Sequence, residues 1–122
     1  MIFWMHKYMP PLEIERFDQN KGWEQVGMVW PGQVGGDLLN VREDGEEELI
    51  AGRCAHDGSA TILAVQLSEM DKKSLGKPDR ALRSRLSPGA IEIVTLGLGE
   101  TFEMPILKNK DSKPERYRFT QK

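Results

Sequence analysis

Cysteine is almost absent from this chain. Cys54 is the only one, so the sequence holds no internal disulfide framework, and a reducing, cytoplasmic setting is the default expectation. Histidine is as scarce. With His6 and His56 as the only imidazoles beside that thiol, a structural zinc site would need carboxylates to complete it, so no metal and no cofactor are expected. Long apolar runs are missing too: none approaches the roughly 20 residues a helix needs to cross a bilayer, and no membrane span is expected. What remains is a chain of 122 residues with 39% hydrophobic and 30% charged residues. That balance fits one soluble globular domain over residues 1–122.

The opening stretch Met1–Met9 carries Phe3, Trp4 and Tyr8 but lacks the basic start and small-residue cleavage site of a secretory signal. It reads as an N-terminal extension that packs on the domain or precedes an alternative start at Met5 or Met9.

After Pro10-Pro11, apolar and polar residues alternate in short runs. Strands are expected over 12–17, 23–30, 38–42, 49–54, 61–67, 91–96, 101–106 and 115–120. Asp-Gly pairs at Asp44-Gly45 and Asp57-Gly58 favour tight turns between them. The run Thr61–Leu67 is apolar enough to be helical as well, and Ile62, Val65 and the preceding turn favour strand. In the second run, Val26, Met28 and Trp30 are expected on one face, with Trp23, Gly27 and Val29 on the other. The last run places Tyr117 and Phe119 on one face.

The strongest local signal is Ser87–Leu107. Two apolar segments flank Gly97-Leu98-Gly99, which predicts a hairpin at the centre of a sheet. Just before it, Pro78–Leu86 has the marks of a short helix: proline and an acid in the first turn, Leu82 and Leu86 one turn apart, and Pro88-Gly89 as a stop. The fold class is therefore all-β, or β-dominated α+β: a small antiparallel barrel or sandwich of about eight short strands with one short helix near residues 78–86.

The glycine-rich stretch Pro31–Asp37 lacks the lysine, Ser/Thr and following helix of a phosphate loop and is expected to be a turn. Glu46-Glu47-Glu48 is expected to be the charged, solvated end of a hairpin.

Charge is distributed unevenly. Residues 1–70 carry five basic and twelve acidic side chains, and residues 71–122 carry twelve basic and seven acidic ones. The densest basic piece holds Lys72, Lys73, Lys77, Arg80, Arg83 and Arg85 against Asp79 alone, a pattern able to touch successive phosphates. A pI near 5.7 and the absence of interleaved aromatics weigh against nucleic acid, and favour a solvated face or a patch that meets the acidic hairpin.

The other candidate for chemistry is Cys54, His56 and Asp57, which could form a thiol, base and acid group at a barrel mouth. The simpler account is a small core cysteine followed by turn residues. No catalytic constellation stands above such readings. The sequence points to a β-rich binding protein that engages a protein partner or its own copies. Anion or nucleic-acid binding through Lys72–Arg85 is one alternative, and a small enzyme with a pocket near Cys54 and His56 is the other.

Overall fold

The computed structural model describes residues 10–43, 45–67 and 89–121, with Asp37 as backbone only. These residues form eight strands: β1 (Leu12–Asp18), β2 (Gly22–Val29), β3 (Val34–Arg42), β4 (Gly45–Arg53), β5 (Ala60–Gln66), β6 (Ile91–Leu96), β7 (Thr101–Ile106) and β8 (Glu115–Gln121). All pairings are antiparallel. Sheet I has the order β2-β1-β8-β7 and sheet II the order β3-β4-β5-β6. The expected all-β architecture of about eight strands is therefore present, and residues 61–66 are strand. The expected helix near 78–86 lies outside the described residues. No helix among the described residues is long and apolar enough to cross a membrane.

Alternation builds the core. Leu12 and Ile14 of β1, Val29 of β2, and Tyr117 and Phe119 of β8 face inward from sheet I, and all are at most 1% exposed. Leu49, Ala51, Ala60, Ile62 and Leu96 meet them from sheet II. A second cluster lies apart from this core. Ile50 and Val65, with Val34 and Ala90 against them, occupy the opposite face of sheet II, so β4 is buried on both sides.

Four expectations need correction. The first concerns Ser87–Leu107: β6 pairs with β5 in sheet II, while β7 pairs with β8 in sheet I, so the two runs are edge strands of different sheets. The Gly97-Leu98-Gly99 connection is a corner. Its turn is closed locally, Glu100 donating its N–H to the Gly97 carbonyl while its carboxylate accepts the Gly97 N–H at 2.7 Å. Gly99, at φ +86°, then donates to the Gln121 carbonyl and so delivers the chain to β8.

The second correction is that Pro31–Asp37 is not all turn. Only its first part is, and β3 begins at Val34, interrupted by a bulge between Gly35 and Leu38. Gly36 takes φ +99° there, where a Cβ would sit 3.5 Å from the Ala51 nitrogen. Third, the acidic run is strand, and Glu47 and Glu48 are buried (6% and 1% exposed). Fourth, a bulge at Val26 breaks the alternation of β2. Phe17 pairs with Trp23 and Glu13 with Met28, which puts Trp23 and Met28 on the same outer face of sheet I.

Among the described residues, every edge strand is interrupted. β2 is bulged at Val26, β3 at Gly36-Asp37 and β6 at Ile93, and β7 carries Pro105, which has no N–H to offer a neighbour.

Candidate functional site

The β4–β5 connection holds the residues singled out for chemistry. Cys54 donates its N–H to the Ser59 carbonyl at 2.9 Å, and Gly58 donates to the Cys54 carbonyl at 3.0 Å, closing a compact loop. Asp57 Oδ1 accepts the Ser59 N–H at 2.9 Å and the Ser59 hydroxyl at 2.8 Å. These two bonds, and then one from the Cys54 thiol, hold the Asp57 carboxyl below its ordinary value. His56 is exposed and has no hydrogen bond to Cys54 or Asp57. Asp57 serves the loop as an Asx turn.

A pH consequence follows. Because the folded-state pKa of Asp57 is depressed, its stabilising contribution is present above the ordinary carboxylate value and is lost as pH falls through the folded value. Ser59→Ala is expected to move the Asp57 titration upward, read from its side-chain carboxyl carbon by NMR. A midpoint that stays put would remove the Ser59 hydroxyl as a cause and leave its backbone N–H.

Sequence reasoning passed over the residue beside this loop. Arg53 is 2% exposed, and its partners are carbonyls: Nη1 donates to Pro10 at 2.8 Å and to Val29 at 3.2 Å, and Nε donates to Gly58 at 3.2 Å. Gln121, fully buried at the end of β8, donates its side-chain amide to the same Gly58 carbonyl. One arginine from sheet II and one glutamine from sheet I therefore clasp this end of the sandwich. Burial lowers the Arg53 pKa. The only advance sign was a charged residue ending the apolar run Leu49–Gly52.

The opposite end of the sandwich carries two concave features. A cavity of about 340 Å³ is lined, among the described residues, by Arg42, Glu47, Ala64, Gln66, Gly89, Ile91 and Ile93. A shallower cleft of about 850 Å³ adjoins it at Val41, Arg42, Glu43, Leu107 and Lys110. Cys54, His56 and Asp57 line neither. They follow the far end of β4, roughly 20 Å away at 3.3 Å per residue. The basic residues Lys72, Lys73, Lys77, Arg80, Arg83 and Arg85 lie outside the described residues.

The outer face of sheet I gathers residues that are far apart in sequence. Register sets Trp23, Phe17 and Arg116 side by side, with Gln25, Glu15, Arg118 and Glu103 in the next row. Phe17 and Trp23 meet edge to face, with centroids 5.4 Å apart. The Arg118 guanidinium lies 4.1 Å from the Trp23 ring centroid, and that of Arg116 lies 4.9 Å from Phe17. Each arginine is also held by an acid, Arg118 by Glu15 at 3.1 Å and Arg116 by Glu103 at 2.6 Å. Val26 (44%), Met28 (47%) and Trp30 (37%) continue the apolar surface along the β2 border.

Among the described residues, no group of three or more His, Cys, Asp or Glu could hold a metal ion. Compared with family models, with curated proteins and with solved structures, the chain matches none.

Proposed function

We propose that the protein works by binding, and that it pairs with a second copy of itself through the outer face of sheet I. The observation that carries this reading is the composition of that face. Trp23, Phe17 and Met28 lie among two arginines and the acids Glu13, Glu15 and Glu103, a mixture of aromatic, Met and Arg residues characteristic of protein contact surfaces.

Both signs of charge are present, so the face is complementary to itself. In a two-fold contact, Arg116 and Arg118 of one copy can meet Glu13 and Glu15 of the other. The interrupted edges favour face-to-face contact over strand addition, and sheet II already buries apolar residues on both of its faces. Four strands of six to eight residues cover roughly 20 by 23 Å, at the low end for a specific interface, so a weak dimer is expected.

Sedimentation equilibrium is the test. The wild type is expected to dimerise with a Kd on the order of micromolar, and Met28→Glu to weaken that by about tenfold or more. A wild-type chain that keeps the monomer mass at every concentration would sink the proposal.

A further inference from the structure

The mouth of the sandwich beside Glu47 has features that neither the fold nor the pairing face requires. In sheet II, Glu47 and Gln66 are paired neighbours, as are Leu49 and Ala64, so all four project from the inner, core-facing side. Deeper in, that side is apolar. At the mouth it turns polar: Asn40 Nδ2 donates to Glu47 Oε1 at 2.8 Å, and Arg42 Nη1 reaches Glu47 Oε2 at 3.4 Å. Asn40 is fixed in turn by accepting the Leu107 N–H at 2.9 Å. A carboxylate 6% exposed at a core-facing position violates the local pattern, and such violations concentrate at functional sites. The Ile93 bulge adds a second feature, because it turns an edge side chain toward the same cavity as Ile91 and Ala64.

We propose that this cavity of about 340 Å³ binds a small uncharged amphipathic molecule, an aliphatic body of a few carbons bearing an alcohol or amide head. Ile91, Ile93 and Ala64 form the apolar wall for the body. Glu47 presents held carboxylate oxygens, each with a further lone pair, to a donor on the head, and Gln66 supplies an amide beside them. Glu47 is paired with Arg42 at 3.4 Å, so among the described residues the polar end of the site carries no net charge. An ionic head gains no net attraction there to offset the loss of its water, whereas a neutral donor has less water to lose. This site is independent of the pairing face: its lining comes from sheet II and Gly89, and the pairing face is the outer side of sheet I.

The experiment is a titration of the full chain with four probes of one length, 1-hexanol, hexanamide, hexanoate and hexylamine, followed by backbone amide NMR. The alcohol and the amide are expected to give saturable shifts confined to the neighbourhood of Glu47, Gln66, Ile91 and Ile93, and to bind about fivefold or more tightly than either ion. Glu47→Gln is expected to weaken the alcohol about tenfold. Ile93→Asp, at an edge position able to accept a charge, is expected to abolish the saturable shifts with the rest of the spectrum unchanged. Shifts that never saturate, shifts that map to Trp23 and Met28, or equal affinity for all four probes would each overturn the proposal.

Discussion

Arg53→Ala is expected to destabilise the fold by about 3–4 kcal/mol, more than any other single change outside the apolar core. The side chain reaches from sheet II to carbonyls that belong to sheet I, at Pro10 before β1 and at Val29 ending β2. Hydrogen bonds made by a charged donor contribute about 1.5–3 kcal/mol each, and carbonyls left bare in the interior add their own cost. An opposing term exists. The guanidinium has lost its water without gaining a carboxylate among the described residues, and Nη2 has no partner there, so truncation also removes a desolvation cost. Three bonds outweigh one desolvated group, so the balance favours the native arginine. Arg53→Lys is expected to recover less than half of the loss, since a single ammonium cannot reproduce a fork that spans Nη1 and Nε. Urea denaturation reads both variants as midpoint shifts at constant slope. If Arg53→Met proves as stable as the wild type, the clasp contributes nothing net.

Phe119→Ala is expected to cost about 3–5 kcal/mol, at the upper end for a core truncation. Phe119 sits on an interior strand, opposite Ile14 on one side and Phe102 on the other, with the Phe102 ring centroid 6.5 Å away. Both neighbouring backbones are pinned by ladder hydrogen bonds, so the walls cannot close over the missing ring. The contrast is Ile91→Ala. Ile91 is 68% exposed on an edge strand, and its truncation is expected to change stability by less than about 0.5 kcal/mol. Comparable losses at the two positions would contradict the core assignment.

Alternation within a strand was readable directly. Tyr117 and Phe119 face the core as the spacing required, as do Leu12 and Ile14, because burial of one sheet face imposes a period of two. What a one-dimensional pattern omits is which strand lies alongside. The Ile91–Leu96 and Thr101–Ile106 runs are both strands, yet the intervening glycines serve a change of sheet as readily as a hairpin. The backbone bonds that decide it come from Gln121, more than 20 residues downstream. The faces of β2 were misplaced for a related reason: nothing in Trp23–Trp30 announces that Val26 is an extra residue.

The candidate sites divide along the same line. Contiguous groups, such as Cys54, His56 and Asp57, were visible because they are contiguous, and in the structure Cys54 and Asp57 organise a loop from which His56 is exposed. The Trp23, Phe17, Arg116 and Arg118 surface, the Arg53 clasp and the Glu47 mouth are all assembled across strands. Each of their members, taken alone, looks like an ordinary surface charge or core residue. The run Glu46–Glu48 is the clearest case: its negative charge was plain, but burial of Glu47 depends on Asn40 and Arg42 being opposite and beside it.

The corner at Gly97–Gly99 also sets an order of assembly. In sheet II, β3, β4 and β5 pair with their sequence neighbours across short turns, contacts that are fast to form, whereas β6 joins β5 across residues 67–90. Sheet I has no such route. Its central ladder joins Leu12 to Gln121, and β1 and β2 alone make only a two-stranded ribbon, marginal in water. Half of the hydrophobic interior, Tyr117 and Phe119 included, therefore waits on residues 115–121. Until those arrive, Leu49, Ala51 and Ile62 lack the largest side chains of the core they share with sheet I.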